Sequence, residues 1–172
     1  MQMVKRIIGG FFLFVILLWL LAPKQELYYL LEKSLKKSNI IISNETIKDT
    51  WIGLKIDNAD IYVSGAKVAT NRELNFIFLF LYAKLSLNDL EIDKSLHSVA
   101  PKKLDNLTAT YSILNPLNIL LKGDGSVGEI EGSVALKDRK IEILFPKPKD
   151  LATVKRFLKK DIKRGWYYEK TY

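Results

Sequence analysis

The pattern of apolar and polar positions begins with an unbroken apolar run near the amino terminus. The run covers residues 7–22, contains no charged residue and lies between Arg6 and Lys24. About 16 helical residues span roughly 24 Å, against a hydrocarbon core of roughly 30 Å, so the run predicts one short membrane span. We expect residues 1–23 to form an anchor. Six large side chains are expected to contact lipid: Phe11, Phe12, Phe14, Leu17, Trp19 and Leu20.

A cleaved signal peptide is the alternative interpretation of this run, because a basic start and an apolar core of this length also fit one. The candidate cleavage site is Leu20-Leu21-Ala22, followed directly by Pro23. Because it has no small residue at the −3 position and proline after the site, the sequence favours an uncleaved anchor.

The charges on the two sides of the run do not fix its orientation. Lys24, Lys33, Lys36 and Lys37 outnumber the basic residues that precede the run, and this count alone places the large domain inside. The amino-terminal segment is very short, however, and is easily retained on the inner side. We therefore expect a single-pass protein of the bacterial inner membrane with its carboxyl-terminal domain in the periplasm.

An amphipathic helix is predicted for residues 24–38, directly after the run. Its apolar residues recur at spacings of three and four and form one stripe: Leu27, Leu30, Leu31 and Leu35. Glu26 near the start and Lys36 and Lys37 near the end favour the helix dipole. The stripe packs either on the chain's own domain or on a second single-span protein, and both alternatives remain open.

From residue 39 to residue 145 apolar and polar positions alternate, which is the period of a β-strand. Eight or nine short strands follow one another with no helix between them, so we predict a mainly β domain with an antiparallel sheet. Changes of phase near Asn58 and Asp89 predict irregularities within two of the strands.

One strand departs from this alternation, because the segment 74–82 is apolar on both faces. The first interpretation is a central strand that is covered on both sides. The alternative is a strand that contacts lipid, the membrane surface or a partner protein. Its candidate partner contacts are Phe76, Phe78 and Phe80.

The segment 146–172 predicts a carboxyl-terminal helix and a final strand. Asp150 is a good helix cap before apolar residues at helical spacing, and Gly165 ends the helix. The opposite face of this helix is basic, and we expect it to lie on the domain or to contact lipid or the membrane surface. Its basic residues include Lys155, Arg156, Lys159 and Lys160.

Composition narrows the possible partners. The net charge is +8, yet the basic residues are scattered in pairs and are not interleaved with aromatic residues, so nucleic acid is not an expected partner. A basic domain that is tethered to a membrane suits anionic lipids or acidic proteins instead. The absence of cysteine permits an oxidising compartment and excludes disulfides.

The chain offers little catalytic chemistry. His97 is the only histidine, so neither a Ser–His–Asp triad nor a zinc site of three or four nitrogen or sulfur ligands is expected. The glycine-rich segment 122–132 matches no phosphate-binding motif, and its glycines are expected at turns. We predict a non-enzymatic protein without a metal or a cofactor.

The layout of these elements resembles that of a known family. An amino-terminal span is followed by a helix and a ladder of short strands with glycine-rich hairpins, and six positions carry the likeness: Pro23, Leu35, Gly53, Leu54, Gly123 and Gly132. This layout resembles the N component of type II secretion systems, which in turn is similar to AsmA-type envelope proteins with groove-shaped β folds. The resemblance implies a curved sheet, shaped as a groove or half-barrel, and partners that are other single-span proteins of the inner membrane.

Two functions are therefore expected. The first is a scaffold subunit of an envelope-spanning machine of the type II secretion kind, which serves secretion or a polar flagellar apparatus. The anchor, the leucine stripe of the helix and the apolar strand 74–82 are its expected contacts. The alternative is a lipid-binding or lipid-transfer protein whose curved sheet holds acyl chains in an apolar groove.

Overall fold

The computed structural model of the chain describes residues 5–7, 9–11, 13–14, 17, 21, 24–79 and 81–172. After the helix α1 (Lys24–Lys37) the fold is mainly β, as predicted. Its strands are β1 Ile40–Ser43, β2 Thr46–Thr50, β3 Gly53–Val63, β4 Ala66–Leu79, β5 Tyr82–Ile92, β6 Lys103–Ser112, β7 Asn118–Gly125, β8 Ile130–Ala135, β9 Lys140–Phe145, β10 Lys159–Asp161 and β11 Gly165–Thr171.

All the strands belong to one open antiparallel sheet. Its order is β1-β3-β4-β5-β6-β7-β8-β9-β11-β10, and most neighbours in the sheet are therefore also neighbours in sequence. Both β1 and β2 pair with β3, one after the other along its length. Asn44, in left-handed backbone at φ 64°, separates them, so this edge of the sheet is one interrupted strand.

The sheet is irregular at the two positions where the sequence predicts a change of phase. Asn58 in β3 and Asp89 in β5 adopt left-handed backbone, with φ of 58° and 54°. The register of β3 and β4 omits Asn58, and Ile56 and Ala59 on either side of it enter the same buried cluster. Side chains three positions apart therefore share a face, which regular alternation forbids.

Two small buried clusters replace a single core. The α1 cluster consists of Tyr28, Leu54, Ile56 and Ala59, and it holds α1 on the sheet. The carboxyl-terminal cluster consists of Val127, Ile130, Phe145 and Leu151. The α1 cluster lies over β3, and the carboxyl-terminal cluster lies over β8 and β9. The strands between β3 and β8 have no buried cluster above them.

The direction of α1 fixes where the amino-terminal segment joins the sheet. The side-chain amide of Gln25 donates to a carboxylate oxygen of Asp49 at 3.1 Å, near the end of β2. At the other end of the helix, the Ser64 amide donates to the Asn39 carbonyl oxygen at 2.8 Å. Residues before Lys24 therefore join the molecule at the end of the sheet where β2 ends and β3 begins.

The predicted carboxyl-terminal helix is wrong. Residues Lys155–Phe157 form a single 3₁₀ turn, Leu158 is extended, and Lys159–Asp161 pairs with β11 as the edge strand β10. Pairing with β11 supplies hydrogen bonds to a strand that otherwise has a free edge, and this outweighs a helix of marginal length. Ile162, which the helical spacing places on the apolar face, is fully exposed.

The predicted anchor lies mostly outside the described residues, and Phe12, Trp19 and Leu20 are among those outside. Phe11, Phe14 and Leu17 are described and exposed. In the described part of the chain, no helix combines the length and apolar character that crossing a bilayer requires. The anchor stays a prediction.

Candidate functional site

One face of the sheet is apolar across the strands β3–β9 and onto β11. Residues that pair across strands share a face, and side chains two positions apart along a strand do so too. The first row across this face is Leu54, Phe76, Leu85, Ala109, Leu121, Gly132, Ile143 and Tyr168. The second row is Ile56, Leu74, Leu87, Leu107, Gly123 and Ile130. The third row is Phe78, Ala83, Tyr111, Ile119, Val134 and Ile141.

We call this surface the apolar face, and its middle is uncovered. On β5–β8 every large side chain of the three rows except Ile130 is only half-buried, and Phe76 and Phe78 on β4 are exposed. The rings of Phe76 and Phe78 stack with their centroids 6.1 Å apart. Contiguous exposed apolar surface of this extent is typical of a binding site for a ligand, a membrane or a partner.

Two segments cover the sides of the apolar face. Tyr28 of α1 packs on Leu54 and Ile56, which belong to the first and second rows. On the other side, Leu151 and its neighbours pack on Ile130 and Phe145. The uncovered part of the apolar face therefore lies between two parts that the chain covers itself.

The residues predicted to contact a partner separate into different environments. Leu30 and Leu31 of α1 are exposed and Leu35 is half-buried, while the side chain of Leu27 is outside the described part of the structure. Phe76 and Phe78 lie on the apolar face, and Phe80 is outside the described residues. The segment 74–82 is not one strand, because β4 ends at Leu79 and Tyr82 begins β5. β4 pairs on both sides as a central strand does, but Phe76 and Phe78 are exposed, so the predicted cover on both faces is wrong.

Sequence reasoning missed Tyr28. Tyr28 is 6% exposed, and its hydroxyl donates to Glu45 at 3.3 Å. Burial, followed by the nearby charge of Glu45, raises its pKa well above the usual value. The only signal in the sequence is the pair Tyr28-Tyr29, and it does not show which ring is buried: Tyr28 packs on the sheet and Tyr29 is exposed.

The four predicted basic contacts lie on the 3₁₀ turn and the edge strand. The ammonium groups of Lys155 and Lys160 lie 5.5 and 5.4 Å from the centroid of the Trp166 ring. The Arg156 guanidinium lies 4.7 Å from the Phe157 ring, and Lys159 pairs with Tyr167 in the sheet. Cations over aromatic faces stabilise this corner, and the four residues do not share one helix face.

The opposite face of the sheet is largely polar, and several of its charges are paired. Glu73 accepts hydrogen bonds from Lys55 at 2.6 Å, from Asn75 at 2.6 Å and from Asn88 at 3.3 Å. The bond from Lys55, the largest cause, and that from Asn75 lower the pKa of the Glu73 carboxyl. Such a carboxylate stays ionised at neutral pH and is not poised for proton transfer.

The depressions on the polar face are shallow. One of about 500 Å³ is lined by six charged side chains that form three ion pairs: Lys147 with Glu129 at 2.9 Å, Lys149 with Asp124 at 3.3 Å, and Lys122 with Glu131 at 3.7 Å. His97 does not line this depression, and its Nε2 hydrogen-bonds to the Ile92 carbonyl oxygen at 2.9 Å. Among the described residues no group of acidic, histidine or cysteine side chains is arranged to hold a metal ion.

The glycines of the segment 122–132 lie largely in strands rather than in turns, which differs from the sequence-based expectation. Gly128 occupies the turn between β7 and β8 with φ 96°, but Gly123 and Gly132 lie on the apolar face. A Cβ at Gly132 would lie 2.5 Å from the Glu142 carbonyl oxygen, and one at Gly123 would lie 2.6 Å from the Asn106 carbonyl oxygen. Close approach of neighbouring strands requires glycine at both positions.

Comparisons with protein-family models, with curated proteins and with solved structures give no match.

Proposed function

We propose that this protein is a non-enzymatic, single-span protein of the bacterial inner membrane whose periplasmic sheet binds lipid acyl chains on its apolar face. One observation carries the proposal: the three cross-strand rows form a continuous apolar surface, and the described chain leaves its middle uncovered. Domains ordinarily bury such a face under a second layer of their own. An external apolar ligand supplies that layer.

The chemistry of the rows favours hydrocarbon over protein as the occupant. On β4–β8 the three rows contain no charged or amide side chain, and the hydroxyl of Tyr111 is their only polar side-chain group. Protein interfaces carry about one hydrogen bond per 100–200 Å² and enriched arginine. Acyl chains need neither, so they fit a surface that offers dispersion and burial alone.

A matched pair of substitutions on β6 tests this function. Ala109 lies in the first row and Thr108 lies next to it on the polar face, and both are half-buried. We expect full-length protein in gentle detergent to carry phospholipid in native mass spectrometry, Ala109→Trp to lose most of it, and Thr108→Trp to keep it. Circular dichroism checks that both variants fold. If Ala109→Trp does not fold because tryptophan overpacks the site, the smaller polar substitution Ala109→Gln is used in its place.

Crosslinking supplies a readout that does not depend on substitution. A fatty acid with a photoreactive acyl chain is expected to label residues of the three rows and to spare the polar face. Lipid-free protein whose labelling is equal on the two faces would overturn the proposal.

The anchor and the orientation have tests of their own. An intact mass that includes Met1 to Ala22, and retention in membranes after alkaline washing, support the anchor. An alkaline phosphatase fusion after Tyr172 is expected to be active, since that enzyme works only on the periplasmic side. A mature start near Pro23, or activity from a cytoplasmic reporter alone, would refute the respective part.

A scaffold role in an envelope-spanning machine, for secretion or for a polar flagellum, is the second candidate. The exposed side chains of Leu30 and Leu31 on α1 favour it, because two adjacent exposed leucines suit the helix of a second single-span protein. Leu30→Ser with Leu31→Ser is expected to reduce crosslinking to inner-membrane partners in the native host. Lys33→Ser on the same helix serves as the control, and equal crosslinking by all variants would exclude this surface.

A further inference from the structure

The turns at one end of the sheet carry an unusual set of exposed apolar side chains. In an antiparallel meander alternate connections meet at the same end, and backbone hydrogen bonds between neighbouring turns confirm it here. The Phe78 amide donates to Ile52, Ile113 donates to Leu81, and Leu136 donates to Leu117, at 3.0, 2.8 and 2.8 Å. We call this end the apolar turn edge. Its exposed residues are Trp51, Ile52, Leu79, Leu81, Ile113, Leu114, Leu117, Leu136 and Tyr172.

The exposure of this edge is extreme for side chains of this size. Trp51 is 85% and Leu114 is 94% exposed, at the tips of two separate turns. Turns normally carry glycine, proline and short polar residues, because their backbone is solvated. At the opposite end of the sheet, the connection Ser64–Gly65 follows that norm, and in the connection Ser126–Glu129 the apolar residue, Val127, is buried. Within the described connections at that end, only Val99, Phe157 and Ile162 are large, apolar and exposed.

The start of α1, which follows the amino-terminal apolar run in the sequence, lies at the same edge. Gln25 contacts Asp49, two residues before Trp51, so the chain enters α1 beside the apolar turn edge. Basic side chains accompany it, since Lys137 and Arg139 in the β8–β9 turn are exposed and join no ion pair within the described chain. Asp138 between them offsets one of these charges.

We infer that the apolar turn edge inserts into the lipid surface of the membrane to which the chain is anchored. Tryptophan and tyrosine prefer the boundary between headgroups and acyl chains, leucine and isoleucine bury below it, and Lys137 and Arg139 suit anionic headgroups. The sheet then stands on the bilayer with its strands leading away from it. The inference uses the proposed anchor only to say which bilayer the edge meets.

Trp51 is a built-in reporter of this contact. The chain has three tryptophans, so Trp19→Phe with Trp166→Phe leaves Trp51 alone. Full-length protein is reconstituted in phosphatidylethanolamine–phosphatidylglycerol vesicles with or without bromine on the acyl chains. Interfacial side chains lie about 5–10 Å into the headgroup boundary, where bromine quenches by contact, so we expect emission to fall about twofold in brominated vesicles.

The matched control puts an equally exposed tryptophan at the opposite end. With all three natural tryptophans replaced by phenylalanine, Ile162→Trp is expected to show no bromine quenching, and Leu114→Trp in that background is expected to be quenched like Trp51. Unquenched Trp51 and Leu114→Trp would overturn the inference. So would blue-shifted but unquenched emission that depends on protein density, because the edge would then contact a second copy of the chain.

Alkaline washing separates this inference from the proposed anchor. Protein that resists washing while Trp51 remains unquenched keeps the anchor and loses the edge contact. Protein that shows quenching before the wash and is then extracted keeps the edge contact and loses the anchor. Protein that never binds the vesicles refutes both.

Discussion

Removal of the Tyr28 ring is expected to loosen α1 from the sheet. Tyr28 is 6% exposed and packs on Leu54, Ile56 and Ala59, each of them 5% exposed or less. Truncation of a buried aromatic ring to alanine costs about 3–5 kcal/mol, and we expect about 3 because the α1 cluster is small. The 3.3 Å hydrogen bond to Glu45 is long, so Tyr28→Phe is expected to cost only about 0.5 kcal/mol.

Hydrogen exchange and urea unfolding of the full-length protein measure this effect. The α1 cluster is separate from the carboxyl-terminal cluster, so Tyr28→Ala should expose the amides of α1 and β1–β3 first and leave β7–β11 protected. Tyr29→Ala is the matched control, because the neighbouring ring is 51% exposed and its loss should cost less than about 1 kcal/mol. Equal losses for the two tyrosines, or uniform loss of protection across the sheet, would refute the reasoning.

Three further predictions concern single positions in the sheet. Asn71 is fully buried, and its amide has no hydrogen-bond partner within the described chain. Asn71→Leu should therefore raise the urea midpoint by an amount equivalent to about 1–2 kcal/mol. Asn75→Leu is the control and should lower the midpoint, because it removes a donor to the Glu73 carboxylate. Gly132→Ala should lower the midpoint, because its Cβ would lie 2.5 Å from a carbonyl oxygen of β9. The pKa of Asp60 lies below its usual value, chiefly because Lys67 donates to it at 2.7 Å, so its contribution to stability is present above about pH 4 and is lost as the pH falls; Asp60→Asn should flatten the acid limb of the urea midpoint plotted against pH.

The helix α1 shows what periodicity can and cannot establish. Leucines at spacings of three and four predict the helix, and the helix is there, at Lys24–Lys37. The spacing does not say which side chains are buried, and here Tyr28 packs on the sheet while Leu30 and Leu31 are exposed. Burial depends on what lies opposite the helix, and the sheet that lies opposite forms only through long-range pairing.

The carboxyl-terminal segment shows how tertiary pairing overrides a local pattern. Leu151, Val154 and Leu158 fit one face of a helix, and all three do pack in or against the carboxyl-terminal cluster. A 3₁₀ turn followed by an extended residue presents the same three side chains to the sheet. Pairing of Lys159–Asp161 with the outer edge of β11 favours the extended conformation over the helix. The sequence of the segment alone does not show that β11 has an edge to pair with.

The residues that form the apolar face could not be predicted from the sequence, for a similar reason. Alternation predicts that each strand has an apolar side, but it does not predict which residues stand opposite one another. The register that places Ala109 beside Leu121, and Leu121 beside Gly132, comes from the pairing of three strands. The glycines, expected at turns, prove to be part of the face only once that register is known.

The apolar turn edge and the apolar face lie in a definite order, which links the two proposals. Counted from the edge, the third row, with Phe78 and Tyr111, comes first, the first row, with Leu85, comes next, and the second row, with Leu87, is farthest. Adjacent rows are about 7 Å apart, because side chains on one face recur every second residue. If the edge enters the bilayer, an acyl chain that leaves the membrane beside it reaches the third row without crossing a polar side chain of that face. Beyond the second row, past the irregularities at Asn58 and Asp89, the paired residues are Ala59, Asn71, Leu90, Leu104 and Gly125, of which Asn71 is polar and fully buried. An apolar face that begins directly beside the membrane end of the sheet is the arrangement that a lipid-binding surface anchored in a bilayer requires.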